Sequence, residues 1–261
     1  MTRYLVTNVY QGLNLRPTPS TAQAPLETMP FGTQVELLED TGTKWKKVRV
    51  LAPGSGRVGY ASDAYMTEVR SDAIARLVQA AAHYWELFDR GAGREDVQPY
   101  KGHVLKMWDD LGGGRPPGDN TSHPGWPWSA AGMSAFVRRA GGYDGFKFSA
   151  GHARYIHDAI VKRAAGQPAP FWGHRITERR PQVGDLIAQW RVTKIGYDHA
   201  AARDNFSSHT DFVVQVLADS VRAIGANVPT DTVGVKVYRT GPDGFLLGTR
   251  NEIAVMENRA A

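Results

Sequence analysis

The chain of 261 residues contains no cysteine. Disulfide bonds, thiolate metal sites and a cysteine nucleophile are therefore excluded from the sequence as it stands. No apolar run approaches the length that a membrane span requires. Lysine and arginine are scattered rather than clustered, so the formal net charge of +5 does not indicate a nucleic-acid-binding surface. What remains is an ordinary globular composition, with 42% hydrophobic and 22% charged residues.

The first residues, Met1–Val6, lack the long apolar segment of a secretory leader. We therefore expect either that a leader has been removed from a mature chain or that export follows a route that needs none. The mildly basic pI, near 9.4, is compatible with an anionic polymer such as a bacterial wall.

Two segments with different patterns follow one another along the chain. Residues 1–69 predict an all-β module, because short apolar runs such as Gln34–Leu38 and Trp45–Val50 alternate with turn residues. Residues 71–258 predict helices first and then strands, the first helix being capped by Ser71. The predicted fold class is therefore α+β, with helices packed on an antiparallel sheet behind an all-β N-terminal module.

The most informative stretch runs from Pro127 to Val137. Pro127 suits the approach to a helix, and Ser129 suits its N-cap or first turn. A side chain at this place lies against the positive end of the helix dipole, which favours a developing oxyanion. Ser129 is accordingly either an ordinary cap or a nucleophile. The Gly- and Pro-rich stretch before it, from 112 to 127, predicts a loop, in which Asp119, Asn120 and His123 form one wall of a site or a plain connector.

The N-terminal segment resembles a bacterial SH3 domain over its whole length. The matching residues keep a specific order and spacing: Leu13–Ser20, Phe31–Thr33, Trp45, Lys47–Val50, Gly59–Ala61 and Tyr65. The resemblance implies a small β-barrel that targets enzymes to peptidoglycan. A mere packing module is the alternative.

The C-terminal segment is similar to the bacterial family called domain of unknown function 2272. The shared elements are the Trp-Ser-Ala-Ala helix at Trp128, Ser149 with His152 and Tyr155, Gly184–Ile187, His209 with Asp211, and Gly225–Val228. Their order also resembles the papain-like cell-wall hydrolases of the CHAP and NlpC types. We expect serine, rather than cysteine, at this place in the family.

The resemblance to papain-like enzymes implies roles for three residues. Ser129 takes the place of the nucleophile, His209 that of the base and Asn227 that of the residue that orients the imidazole. Such a set removes the proton from a hydroxyl before it attacks an amide carbonyl. Asp211 lies two residues after His209 on the same side of a strand, so it positions His209, holds a substrate amine or is a surface acid.

Four further residues are candidates for substrate binding. His152 lines the cleft beside Ser129 or packs on a helix face, and Trp128 lines a groove or belongs to the core. Tyr155 accompanies His152, and Asp185 is a binding residue or part of a Gly-Asp turn. A metal site formed by His152, His209 and Asp211 has no supporting ligand spacing, so no metal and no cofactor is expected.

The sequence thus favours a hydrolase of amide bonds in peptidoglycan, acting in the cell envelope, the periplasm or outside the cell. Its expected partners are peptidoglycan and its stem peptides. The alternatives are a binding protein without catalysis, a wall-degrading effector or lysin, and an engineered Cys-to-Ser inactive form. An effector would add an immunity or inhibitor protein as a partner.

Overall fold

A computed structural model describes residues 1–7, 12–51, 53–112, 116 and 127–260. Asp119, Asn120 and His123, expected in the wall of a site, lie outside the described residues. Within them the chain forms an all-β N-terminal module followed by helices and a second antiparallel sheet. The predicted α+β class is confirmed.

Seven short strands build the N-terminal module. Five of them form an antiparallel sheet in the order β6-β5-β4-β1-β7, and β2 pairs with β3. The bridge between Arg16 and Tyr60 connects this pair to β6. Alternating side chains such as Val35, Val48 and Val50 fill a small separate core. The strands are β1 (Arg3–Val6), β2 (Leu13–Leu15), β3 (Glu27–Met29), β4 (Gln34–Asp40), β5 (Trp45–Val50), β6 (Val58–Ser62) and β7 (Met66–Glu68).

The first helix of the second module has a clear start signal. Ser71 caps the first helix, since its side chain accepts a hydrogen bond from the Ile74 amide at 3.3 Å. Its apolar stripe then packs against the third helix. The helices are α1 (Asp72–Leu87), α2 (Tyr100–Leu111), α3 (Ser129–Ala140), α4 (His152–Ala164) and α5 (Tyr197–Ala202).

A six-stranded antiparallel sheet supports these helices, in the order β12-β11-β10-β9-β13-β8. Helices α3 and α4 pack on the face that carries Phe212 and Val214, which belong to the main core. The opposite face carries a smaller cluster around Val213 and Tyr238. The strands are β8 (Phe171–Arg175), β9 (Leu186–Trp190), β10 (Ser208–Val216), β11 (Ser220–Ala226), β12 (Val233–Arg239) and β13 (Glu252–Asn258).

The two modules share a packed junction. Leu5, on β1, is 1% exposed and belongs to the main core of the second module rather than to that of its own sheet. Phe31 meets the edge of Trp85 with ring centroids 6.0 Å apart. Gln79 donates to the Gly32 carbonyl at 3.3 Å, so polar and apolar contacts together join the modules.

None of the helices in the described ranges is long and apolar enough to cross a membrane.

Candidate active site around Ser129

Ser129 is the first residue of α3, and Trp128 occupies the N-cap position. The Ser129 hydroxyl therefore does not serve as the cap, which was one of its two sequence interpretations. The first backbone hydrogen bond of the helix runs from the Gly132 amide to the Trp128 carbonyl at 2.8 Å. The amides of residues 129–131 precede it and point their N–H groups out of the helix end, where they favour negative charge.

The Ser129 hydroxyl meets an imidazole instead. Its Oγ lies 2.8 Å from Nε2 of His152, the first residue of α4. Both residues are almost fully buried, with 6% of Ser129 and 4% of His152 exposed. A hydroxyl at this distance from a neutral imidazole nitrogen donates its proton along the path that general-base activation uses.

The other nitrogen of His152 is held by two hydroxyl groups. Nδ1 lies 3.0 Å from Oγ1 of Thr210 and also contacts the Tyr155 hydroxyl. The two hydroxyls contact each other at 3.1 Å. Because hydroxyl oxygens accept, Nδ1 can carry the proton, which leaves Nε2 as the acceptor facing Ser129. Tyr155, expected among substrate-binding residues, is 2% exposed and positions the imidazole.

A second histidine lies beside the first. The rings of His209 and His152 have centroids 5.0 Å apart and are tilted by 54°. Nε2 of His209 pairs with Oδ1 of Asp211 at 2.7 Å. Asp211 was expected to position His209, to hold a substrate amine or to be a surface acid. The structure shows its contact with His209.

Asp211 lies at the centre of a buried polar network, on the face of the sheet opposite α3 and α4. Its Oδ2 receives hydrogen bonds from Lys236 Nζ at 2.9 Å and from the Tyr238 hydroxyl. Tyr238 also contacts Oε1 of Gln189 at 3.0 Å. The network reaches across β11 because Gly225 has no side chain. A Cβ at Gly225 would lie 1.8 Å from Oδ1 of Asp211, so glycine is required there.

Burial and neighbouring charges set the protonation of these groups. Burial lowers the pKa of His152 well below its usual value, and His209 lowers it further. Burial likewise lowers the pKa of His209, against the opposing charge of Asp211. Burial acts to raise the pKa of Asp211, but His209 and Lys236 outweigh it and hold that pKa well below the usual range. His152 is therefore neutral near pH 7, as a base must be.

The structure corrects the geometry expected for His209 and Asn227. Among the hydrogen bonds of the described residues, none joins Ser129 to His209, because His152 occupies the position next to the hydroxyl. Asn227 lies in a turn with a φ of 59°, and its side chain accepts from the Asp231 amide at 3.2 Å. Asp211 makes the contact with His209 that Asn227 was expected to make.

Two residues expected to bind substrate are structural. Trp128 is 0% exposed, stacks on Phe88 with centroids 5.6 Å apart and donates its Nε1–H to Glu95. Asp185 is also 0% exposed and accepts from the amides of Gln182 and Asn258, each at 3.0 Å. Burial raises the pKa of Asp185, and Arg179, 3.2 Å away, opposes that rise. Both side chains are therefore unavailable to a ligand.

Sequence reasoning passed over Thr210, Lys236, Tyr238 and Gln189. Thr210 lies between two residues already singled out, yet strand alternation points it to the opposite face of the sheet. A signal was available for Lys236, since this lysine lies within the otherwise uncharged run Val233–Tyr238 and a largely buried cation needs a partner. Within the described residues, no group of three His, Asp or Glu side chains is arranged to hold a metal ion.

The comparisons with known proteins divide the chain as the fold does. Residues 78–260 match the family model described as "Uncharacterized protein conserved in bacteria (DUF2272)", and residues 11–67 match the model for a bacterial SH3 domain. This chain belongs to the DUF2272 family. No curated protein matches it.

Two solved structures show low similarity. NlpC2 from Trichomonas vaginalis has 11% identity and a TM-score of 0.30, and the match covers 100% of this chain and 74% of that one. NlpC1 from the same organism has 12% identity and a TM-score of 0.22, with 97% and 70% covered. TM-scores this low do not by themselves establish a shared fold.

Proposed function

We propose that this DUF2272 protein is a serine-dependent hydrolase of amide bonds in peptidoglycan. The observation that carries the proposal is the contact of 2.8 Å between Ser129 Oγ and His152 Nε2 at the start of α3. The base in this proposal is His152, which contacts the hydroxyl, rather than His209, which the order of motifs had suggested.

The proposed reaction has two halves. Ser129 Oγ gives its proton to Nε2 of His152 and attacks the carbonyl carbon of the scissile amide. The amides at the start of α3 stabilise the oxyanion. The imidazolium then protonates the departing amine as the C–N bond breaks, which leaves an acyl ester on Ser129. Water, deprotonated by the same imidazole, hydrolyses the ester and restores the hydroxyl.

The residues around His152 affect the proposed reaction through its imidazole. Thr210 and Tyr155 hold its ring in the tautomer that accepts from Ser129. The imidazolium formed during the reaction is stabilised by the negative charge of Asp211, which acts from behind His209. Thr210, Tyr155, His209 and Asp211 are therefore positioning residues.

The choice of peptidoglycan as substrate is supported by the N-terminal module. Residues 11–67 match a bacterial SH3 domain, and the C-terminal motifs resemble wall hydrolases. A wall-binding module packed against a hydrolytic module brings the nucleophile to a polymer that does not diffuse. The protein accordingly acts in the cell envelope or outside the cell.

The test is digestion of purified peptidoglycan, with released fragments identified by mass spectrometry. We expect product from the parent and none from Ser129→Ala or His152→Ala. The double variant should lose little more than either single one, because the pair acts as a unit. His157→Ala, on the same helix, is the control and should retain activity.

Four outcomes would redirect the proposal. Turnover by Ser129→Ala would refute every version that uses this nucleophile. Unchanged wall affinity in all variants, without product from any, would show a binding protein. Loss of product in His209→Ala but not in His152→Ala would return the role of the base to His209. Turnover gained only by Ser129→Cys would indicate a decayed or engineered thiol site.

A further inference from the structure

A cavity of about 790 Å³ lies between the two modules, at the opposite end of α3 from Ser129. One wall consists of two turns of the SH3-like module, around Phe31–Thr33 and Pro53–Gly54. The other consists of one face of α1 together with Arg139 from α3. Its volume lies within the range of ligand sites, which favour clefts between domains.

The cavity carries unbalanced positive charge. Arg76 donates to the Ala140 carbonyl at 2.8 Å, and neither it nor the exposed Arg139 forms an ion pair with a carboxylate among the described residues. Glu86, the acid in the lining, is paired with Arg90 at 3.1 Å. Burial lowers the pKa of His83, which also lines the cavity, and the charge of Arg139 lowers it further.

Contacts across the junction hold several lining residues of the cavity in place. Its floor is apolar, with Phe31 against Trp85 and Gly32 against the Ala82 methyl, where a Cβ would lie 3.2 Å away. The side chain of Gln79 fixes the Gly32 carbonyl across the junction. Two arginines beside an apolar lining suit an anionic group attached to a small apolar body.

We infer that this cavity between the modules binds a carboxylate-bearing peptide, specifically the stem peptide of the wall. Two anions of a bacterial wall share the necessary charge, the peptide carboxylate and the phosphate of wall polymers. The apolar floor favours the peptide, whose side chains include methyl groups beside free carboxylates. The existence of an anion site rests on the cavity alone, whereas its assignment to a wall peptide rests on the proposed function.

The experiment follows amide signals by nuclear magnetic resonance in the full chain carrying Ser129→Ala, which prevents hydrolysis. Gly32 and Gly54 line the cavity and report on it separately from the active site. The probes are a soluble tetrapeptide stem, the same peptide with its carboxylates amidated, and inorganic phosphate. We expect the free peptide to shift both glycine signals and the other two probes to leave them nearly unchanged.

Arg139→Gln should weaken this binding about tenfold or more, because it removes a charge-assisted contact. Arg138→Gln, one residue earlier on the same helix and outside the cavity, is the matched control and should bind as the parent does. Absence of shifts at Gly32 and Gly54, or shifts unaffected by Arg139→Gln, would overturn the inference. Equal shifts with phosphate would overturn the assignment to a peptide.

Failure here and failure of the proposed function are distinguishable. If the parent digests peptidoglycan but the Ser129→Ala chain shows no shift at the two glycines, only the cavity site is refuted. If the Ser129→Ala chain shows the shifts but the parent releases no product, the cavity site stands and the hydrolase is refuted.

Discussion

Two features of the structure act on the Ser129 hydroxyl: the N-terminus of α3 and the imidazole of His152. The helix end offers N–H groups to an oxyanion, while Nε2 of His152 accepts the hydroxyl proton. A hydroxyl needs both more than a thiol does, because its own pKa is far higher. The buried position of the pair strengthens each interaction by excluding water.

The pH dependence of activity follows from the protonation of His152. The base must be neutral to accept a proton. Burial is the main cause that lowers the pKa of His152 below the usual 6.5, and His209 lowers it further. Activity should therefore rise with pH through a limb that lies below pH 6.5 and be level near neutrality. The measurement is kcat/KM for a soluble stem-peptide amide between pH 4 and 8. An acid limb at or above pH 6.5 would contradict the assignment.

At the level of residues, the sequence predicted the candidates better than their partners. Ser129, His152, His209 and Asp211 were all singled out, but the pairing followed the order of motifs along the chain. The distance between the starts of α3 and α4 depends on helix packing, which leaves no local signal. Asn227 was misassigned because a turn residue with positive φ and a catalytic amide look alike in one sequence.

Helix α3 approaches the sheet at a point where neither partner has a large side chain. A Cβ at Gly132 would lie 2.3 Å from the Ala226 methyl on β11. Glycine here costs helix propensity, about 1 kcal/mol relative to alanine. It permits the close packing that places the start of α3 over the sheet.

Gly132→Ala should therefore destabilise the chain by about 1–3 kcal/mol, although alanine is the better helix former. Gly102→Ala, at an exposed position of α2, provides the matched control and should be neutral or stabilising. Ala226→Gly should restore part of the loss in the double variant. Urea unfolding measures all four chains, and equal stabilities for the two glycine substitutions would contradict the close approach.

Elements with local signals were predicted, and those defined by distant pairing were not. The cap at Ser71 located the start of α1, and the possible Gly-Asp turn at Asp185 comes directly before β9. Strand β13 has no local signal of this kind, although it lies inside the sheet, between β9 and the edge strand β8. Its place depends on pairing with residues more than 60 positions earlier, such as Leu186 with Met256.

The fold of the whole molecule buries two neighbouring histidines almost completely. The pKa of His152 and that of His209 are both lowered, chiefly by burial. The unfolded chain consequently binds protons at these groups at a higher pH than the folded chain does. The free energy of unfolding should thus fall as the pH drops below about 6.5.

The low pKa of Asp211 acts in the same direction at more acidic pH, because its contribution is lost as the carboxylate becomes protonated. Urea unfolding between pH 4.5 and 8 measures the slope. His152→Gln should flatten it, whereas His199→Gln, for a histidine on the short helix α5, should leave it unchanged. A slope that is the same in all three chains would show that other groups control acid stability.

The Leu5 side chain gives the junction of the modules a further meaning. An SH3-like module is readily regarded as an independent unit that evolution can exchange between enzymes. Here Leu5, on the first strand of the module, is part of the core of its neighbour. An unrelated module would leave the place of Leu5 in that core empty. A successful exchange must therefore transfer the residues of the junction together with the module. We therefore expect the two modules of this chain to evolve together.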